Sequence, residues 1–213
     1  MGGPILTKYL LTAAVAALFA TPAAAADFAG PRVEARLTYD RATLEATLSD
    51  GFTTISNSDK DTGIGLGAEA GYDAQVGGNF VVGGYVGGDW SSAAFTSEVD
   101  GVRSRLELSR NLYVGVRAGA AVGPALLYAK GGYSRGRIKA VLDDGTDRVS
   151  DSTNRGGWHL GAGVEVGLGK AYVKGEYTHT EYNGSSFSDA DFGIDAKLDA
   201  KRDQLTAAVG FRF

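Results

Sequence analysis

Beyond its first thirty or so residues the chain alternates. Trp158, Leu160, Ala162, Val164, Val166 and Leu168 are separated by His159, Gly161, Gly163, Glu165 and Gly167, while Leu205, Ala207, Val209, Phe211 and Phe213 are separated by Thr206, Ala208, Gly210 and Arg212. A period of two marks a strand whose faces meet different surroundings, and no segment downstream of the N-terminal stretch sustains a helical period. Read this way, the chain predicts eight strands, at about 32–40, 62–74, 79–92, 105–119, 124–138, 156–168, 170–182 and 203–213. Strands in soluble proteins usually have about 5 to 6 residues, whereas a tilted membrane-crossing strand needs about 9 to 11. The two runs above have the longer length. Short turns near 75–78, 120–123 and 169 alternate with long polar stretches near 41–61, 93–104, 139–155 and 183–202. Gly77-Gly78-Asn79, Gly123-Pro124 and Gly167 to Lys170 supply the residues that tight reversals require. The expected fold is therefore all-β: an eight-stranded antiparallel transmembrane β-barrel with short periplasmic turns and four longer extracellular loops.

Residues 1–26 read as an address. Lys8 gives the positive flank, Tyr9 to Ala20 the apolar run and Ala24-Ala25-Ala26 the small-residue cleavage site of a secretory signal peptide. Twelve residues of helix cover only about 18 Å, short of the roughly 30 Å hydrocarbon core, so an anchor is the weaker reading. The expected domains are a cleaved signal peptide over 1–26 and an outer-membrane barrel over 27–213, which places the protein in a bacterial outer membrane.

Alternation alone does not say which face is outside. Glycine decides it: the chain has 32, against roughly 15 at ordinary usage, and many share a strand face with charges, as Gly65, Gly67 and Gly71 do with Glu69 and Asp73. An eight-stranded barrel has an interior just wide enough for its own side chains, so glycine and charge belong inside and aliphatic residues in the lipid. The lumen then receives Glu34, Arg36, Glu69, Asp73, Asp89, Glu107, Arg117, Lys130, Glu165, Lys174, Glu176 and Arg212. Buried charges without partners cost several kcal/mol, so these should form a paired, structural network that mostly plugs the lumen; a narrow conducting path is the alternative. Tyr39, Tyr72, Phe80, Trp90, Tyr133, Trp158, Tyr177, Phe211 and Phe213 fall near strand ends on the apolar parity, where amphipathic rings mark the membrane interfaces. On this assignment Asp at Val164 or Leu66 should impair insertion, and Gly163→Ser should be milder.

Composition removes several functions. There is no Cys, so neither a disulfide scaffold nor a thiolate metal site exists; the net charge of -4, with scattered basic residues, carries no nucleic-acid footprint. His159 and His179 lack paired metal spacing. A lipid esterase would need a nucleophile beside His179, yet residue 181 is Glu and the nearest serines are Ser185 and Ser186 in the following stretch. Asp189, Asp191 and Asp195 begin like a calcium loop but lack its later ligands. Gly63, Gly65 and Gly67 lie inside a strand with no helix after them, so they cradle no phosphate. No catalytic, cofactor or metal residue is expected. The acidic outer stretches can attract divalent ions that bridge lipopolysaccharide phosphates, an effect screened beyond about 8 to 10 Å at physiological salt.

The stretches ALLYAKGGYSRGRI (Ala125 to Ile138), GWHLGAGVEVGLG (Gly157 to Gly169), AYVKGEYTHTEY (Ala171 to Tyr182) and LTAAVGFRF ending at Phe213 together resemble the opacity-type porin family, small eight-stranded outer-membrane barrels of alphaproteobacteria. The likeness covers essentially residues 27–213 and is strongest over 105–213. It departs at the first strand, where Arg32, Glu34 and Arg36 replace the usual Gly-rich opening. The resemblance implies an assembly signal at Phe213, supported by Phe211 and Val209, read by the outer-membrane insertion machinery after passage with periplasmic chaperones. It implies no shared catalytic residues. The expected partners are outer-membrane lipid and lipopolysaccharide, and the expected role is envelope integrity or surface interaction, with a small-solute porin and a loop-borne adhesin or ligand receptor as alternatives.

Overall fold

The computed structural model describes residues 27–49, 54–92, 94–99, 102–143, 148–189 and 194–213; the proposed signal peptide lies outside them. Nine strand segments follow one another: β1 (Gly30–Ser49), β2 (Thr54–Val76), β3 (Phe80–Ser91), β4 (Ala94–Val99), β5 (Val102–Val122), β6 (Ala125–Asp143), β7 (Arg148–Leu168), β8 (Ala171–Asp189) and β9 (Ile194–Arg212). Both β3 and β4 pair with β5, so together they make one stave of an eight-stave barrel. The order β3-β2-β1-β9-β8-β7-β6-β5-β4 is closed by the β3–β5 pairing. First and last strands meet with Val33 opposite Phe211 and Ala35 opposite Val209, which leaves no open edge along the staves.

Alternate burial settles the faces. Along β1, Arg32, Glu34, Arg36, Thr38 and Asp40 are buried while Val33, Leu37 and Tyr39 are exposed. Leu66 is 65% and Val116 69% exposed, whereas Arg32 is 1% and Glu165 0%. Greasy side chains therefore face the lipid, and all nine girdle aromatics named above are exposed on that side. At about 3.3 Å per residue and a tilt near 40°, the ten steps from Trp158 to Leu168 span about 25 Å, the height of the apolar band of such barrels.

Two features depart from the expectation. The strands run past the membrane: Arg41 to Ser49 pair with Thr62 to Thr54, and Lys139 to Asp143 with Glu107 to Arg103, so that 41–49, 54–61, 103–104 and 139–143, which read as loops, belong to the ladder. From Thr43 upward the described side chains of both faces of β1 are partly exposed, so the apolar–polar code ends although the backbone ladder continues. Register shifts at Leu108/Arg110 and at Tyr182/Ser185 interrupt it. The lumen, moreover, is not glycine and charge alone, because Tyr85, Tyr113, Tyr128, Tyr172 and Tyr182 also point in and are buried. At the periplasmic end Phe28, Val81, Leu126 and Tyr128 form an apolar cluster with Ala121 packed against it.

The inward tyrosines explain particular glycines. Tyr85 faces Gly115, Tyr113 faces Gly87, Tyr128 faces Gly163 and Tyr172 faces Gly210 across the ladder. Each ring lies across the strand where its partner has no side chain, an arrangement that pins register. A Cβ on Gly163 would come within 2.5 Å of Tyr128 Oη and 2.6 Å of the Gly175 carbonyl oxygen. Gly163→Ser is thus a steric substitution and not the mild one expected from sequence. Gly175, on the lipid side, meets nothing within 4 Å. Urea titration of the refolded barrel should show Gly163→Ser destabilised by about 1–3 kcal/mol and Gly175→Ala unchanged or slightly stabilised. The short turns use glycine differently: Gly77, Gly78, Gly123 and Gly169 have φ of 60°, 84°, 60° and 74°, a region that residues with a Cβ rarely adopt.

Candidate functional site

The charged lumen is built in tiers. Nearest the periplasm, Arg117 donates from Nε to Asp73 Oδ1 at 2.9 Å, from Nη2 to Asp73 Oδ2, and from Nη1 to Glu165 Oε2 at 2.9 Å. Arg212 Nη2 donates to Glu165 Oε1 at 2.6 Å. Arg32 links this tier to the next, lying 3.2 Å from Asp73 and donating to Glu69 at 2.8 Å and Glu34 at 3.2 Å.

In the middle tier three glutamates meet four bases. Glu69 also accepts from Arg36 at 3.0 Å and Lys130 at 2.9 Å; Glu176 accepts from Arg36 at 2.9 Å, Lys130 at 3.1 Å and Tyr128 Oη at 2.7 Å. Glu34 accepts from Arg36, Tyr172 and Lys174. Lys130 Nζ also lies 4.1 Å from the Tyr85 ring centroid, a cation–π contact strengthened by the burial of both groups. Toward the outside Arg202 grips Asp40 with two hydrogen bonds, of 3.1 and 2.8 Å.

Among the described residues the buried lumen charges balance. Arg32, Arg36, Arg117, Lys130, Lys174, Arg202 and Arg212 match Glu34, Asp40, Glu69, Asp73, Asp89, Glu165 and Glu176, seven against seven. Opposite signs at contact offset the cost of desolvation only when the hydrogen bonds are also made, and bidentate arginine satisfies that demand best. Between the middle tier and the Arg202–Asp40 pair is a looser layer. Asp89 lies 3.4 Å from Arg36 Nε and shares a small cavity with Asn111, Tyr113, His159, Thr180 and Gln204. Its two carboxylate oxygens have no hydrogen-bond partner among the described residues.

Of the charges expected inside, Glu34, Arg36, Glu69, Asp73, Asp89, Arg117, Lys130, Glu165, Lys174, Glu176 and Arg212 are brought together there. Glu107 stands above the bulge, opposite Ala94 and Lys139, and its side chain lies outside the described residues. Sequence reasoning missed Arg32, Asp40 and Arg202 as members. Their parity was available, since Arg202 continues the even-numbered face of Gln204, Thr206 and Arg212, but the last strand was expected to begin only at 203. His159 was also missed: its Nε2 is 2.6 Å from Tyr85 Oη and its Nδ1 3.0 Å from Ser134 Oγ.

Val209, Phe211 and Phe213 face the lipid side, with the two phenylalanine rings 5.3 Å apart. At the outer rim His179 Nδ1 lies 2.8 Å from Asp203 Oδ1, an oxygen that also accepts from Tyr177 Oη at 2.6 Å. Ser185 follows the bulge, opposite Leu198; the side chains of Ser185 and Ser186 lie outside the described residues, as do residues 190–193 of the calcium-like stretch. No group of three His, Cys, Asp or Glu placed to hold a metal occurs among the described residues.

A closed barrel, lipid-facing aliphatics and long outer hairpins agree with comparison to known proteins. The profile of the outer membrane protein beta-barrel domain matches residues 10–213. The chain belongs to this family. It is an outer-membrane β-barrel protein, and its place is the bacterial outer membrane. This outer-membrane barrel is 26% identical over 243 residues to the 31 kDa outer-membrane immunogenic protein of Brucella melitensis, covering 97% of this chain and 99% of that protein. The counterpart from Brucella suis gives the same figures. Among solved structures, the outer membrane protease OmpT from Escherichia coli has 12% identity and a TM-score of 0.50, covering 91% of this barrel's chain and 99% of its own. Ail, the attachment invasion locus protein of Yersinia pestis, has 14% identity and a TM-score of 0.46, with 87% and 100% coverage.

Proposed function

We propose that this barrel is a non-conducting, non-enzymatic envelope protein whose role is mechanical integrity of the outer membrane together with presentation of its four outer hairpins. The observation that carries the reading is the lumen itself: buried charges of equal number and opposite sign, tied across the barrel and closed at the periplasmic end by Phe28, Val81 and Leu126. An aqueous pore needs charges that keep their water; these have exchanged it for one another. Purified protein in planar bilayers should give no steady, reproducible conductance steps, and such steps would establish the porin reading instead.

Surface presentation is favoured by the ladder that continues to Ser49–Thr54 at the head of the β1–β2 hairpin, and by the name of the Brucella relatives, which calls them immunogenic. Trimming residues 45–58 should remove any attachment conferred by the barrel while leaving its heat-modifiable gel mobility intact. Phe213, Phe211 and Val209 serve as the signal for the insertion machinery, because they end the last strand on the lipid side where a second protein can reach them during assembly. Phe213→Ala should lower the amount of barrel in the outer membrane several-fold, with protein accumulating in the periplasm. Unchanged surface levels would remove that role. Export proceeds with loss of residues 1–26.

A further inference from the structure

Most polar groups around the small cavity above the middle tier already have partners. Arg36 gives Nη1 to Glu34 and Glu69 and Nη2 to Glu176, while Lys130 donates to Glu69 and Glu176. Thr178 donates to Glu176 at 3.3 Å, Asn111 Oδ1 accepts from Tyr182 Oη at 3.2 Å, and His159 bonds both Ser134 and Tyr85. Four side chains are left over. The carboxylate oxygens of Asp89, Tyr113 Oη, Thr180 Oγ1 and Gln204 Nε2 are buried without a hydrogen bond among the described residues, and all four residues line this one cavity. They come from β3, β5, β8 and β9, so an adjustment of any single strand leaves the others unmet. Asp89 and Thr180 are each only 1% exposed.

A buried donor or acceptor left unmet costs its full desolvation, and native interiors rarely keep one. The protein cannot close the gap itself. Both terminal nitrogens of Arg36 are held by the glutamates of the middle tier, which leaves its Nε 3.4 Å from Asp89 Oδ1. Asp89 is fixed from the other side, because its carboxylate lies over Gly67 of β2, where any Cβ would collide with it. Whatever completes the layer must therefore donate to a carboxylate, accept from an amide and bond two hydroxyls. An ion of either sign fits badly. A cation would stand beside Arg36 and Lys130, which line the same cavity, and an anion beside Asp89; either would unbalance a lumen whose seven buried cations match seven anions. An uncharged molecule with both donors and acceptors meets the demand, and the cavity has room for about one water.

We propose that Asp89, Tyr113, Thr180 and Gln204 form a binding site for a single enclosed water molecule, which ties four staves together between the middle tier and the Arg202–Asp40 pair. The sign of two near-isosteric substitutions tests it. Thr180→Val and Tyr113→Phe each remove a hydroxyl that bonds the water, so each should lower the urea midpoint of the barrel refolded in phospholipid vesicles, by about 0.3–1 M. Were those hydroxyls unmet, their removal would relieve a desolvation cost and raise the midpoint instead. Diffraction from the refolded full chain should show one isolated density peak within hydrogen-bond reach of Asp89 and Gln204, and a rubidium soak should leave no anomalous signal there. Four results overturn the proposal: a midpoint raised or unchanged in either variant, an anomalous rubidium peak at the site, Asp89 and Gln204 closed directly on each other, or a continuous file of waters running from this layer to either end of the lumen.

Discussion

Replacing Glu69 by leucine is expected to destabilise the folded barrel by about 3–5 kcal/mol, the largest effect of any single substitution considered. Glu69 accepts hydrogen bonds from Arg32, Arg36 and Lys130 and stands 3.7 Å from Lys174, all of them buried. Its loss leaves the lumen with one buried cation in excess and without a counter-charge. The Arg202–Asp40 pair provides the contrast, because removing both partners together, as Arg202→Met with Asp40→Leu, should cost far less than Asp40→Leu alone. Urea-induced unfolding in phospholipid vesicles, read from the fluorescence of Trp90 and Trp158, gives both values. A Glu69→Leu barrel within about 1 kcal/mol of wild type would mean that water reaches the tier, and the closed-lumen reading would go with it.

The second large effect concerns the lipid face. Val116 stands midway along the membrane-crossing part of β5, six residues from Arg110 at the outer rim and six from Val122 at the inner end, and is 69% exposed. Arginine there should cost about 2–4 kcal/mol, and aspartate at Val164, also near mid-height, somewhat less. Leu66 is different. Its cross-strand neighbour is the girdle residue Trp90, so arginine at Leu66 should cost only about 0–1 kcal/mol. The same vesicle titration measures all three, and it is the gradient with depth that matters. Equal costs at Val116 and Leu66, or none at either, would mean that these positions do not face hydrocarbon.

How much could be read beforehand differs between the two faces. Val164, Leu66 and Phe211 were assignable because each sits in a run whose neighbours alternate between apolar and small or charged, and the contrast between lipid and lumen is written into adjacent residues. Glycine abundance gave the parity its sign. The upper strands were not legible: above Ala42 the described side chains of β1, Thr43, Leu44, Glu45 and Thr47, are all partly exposed, and hydropathy no longer separates the two faces. Phe28 gave no signal either, since a single phenylalanine ahead of the first strand belongs to no periodic pattern, yet it is buried in the periplasmic end of the lumen.

The charge pairs of the interior were similarly hidden. Arg202 and Asp40 are 162 residues apart in sequence, Arg36 and Glu176 140. That these charges point inward follows from local alternation; which acid meets which base depends on the stagger of eight staves at closure. The Tyr85–Gly115 and Tyr128–Gly163 contacts have the same origin, which is why a serine at Gly163 looks harmless in the sequence and collides in the barrel. From the chain alone came the number of strands, their common direction of greasy side chains and the membrane they inhabit, because a bilayer acts on each residue according to its own solubility. Only the assembled cylinder decided the charge partners, the tyrosine-over-glycine contacts and the apolar cluster at the periplasmic end, because those depend on distances between staves that no local stretch of sequence contains.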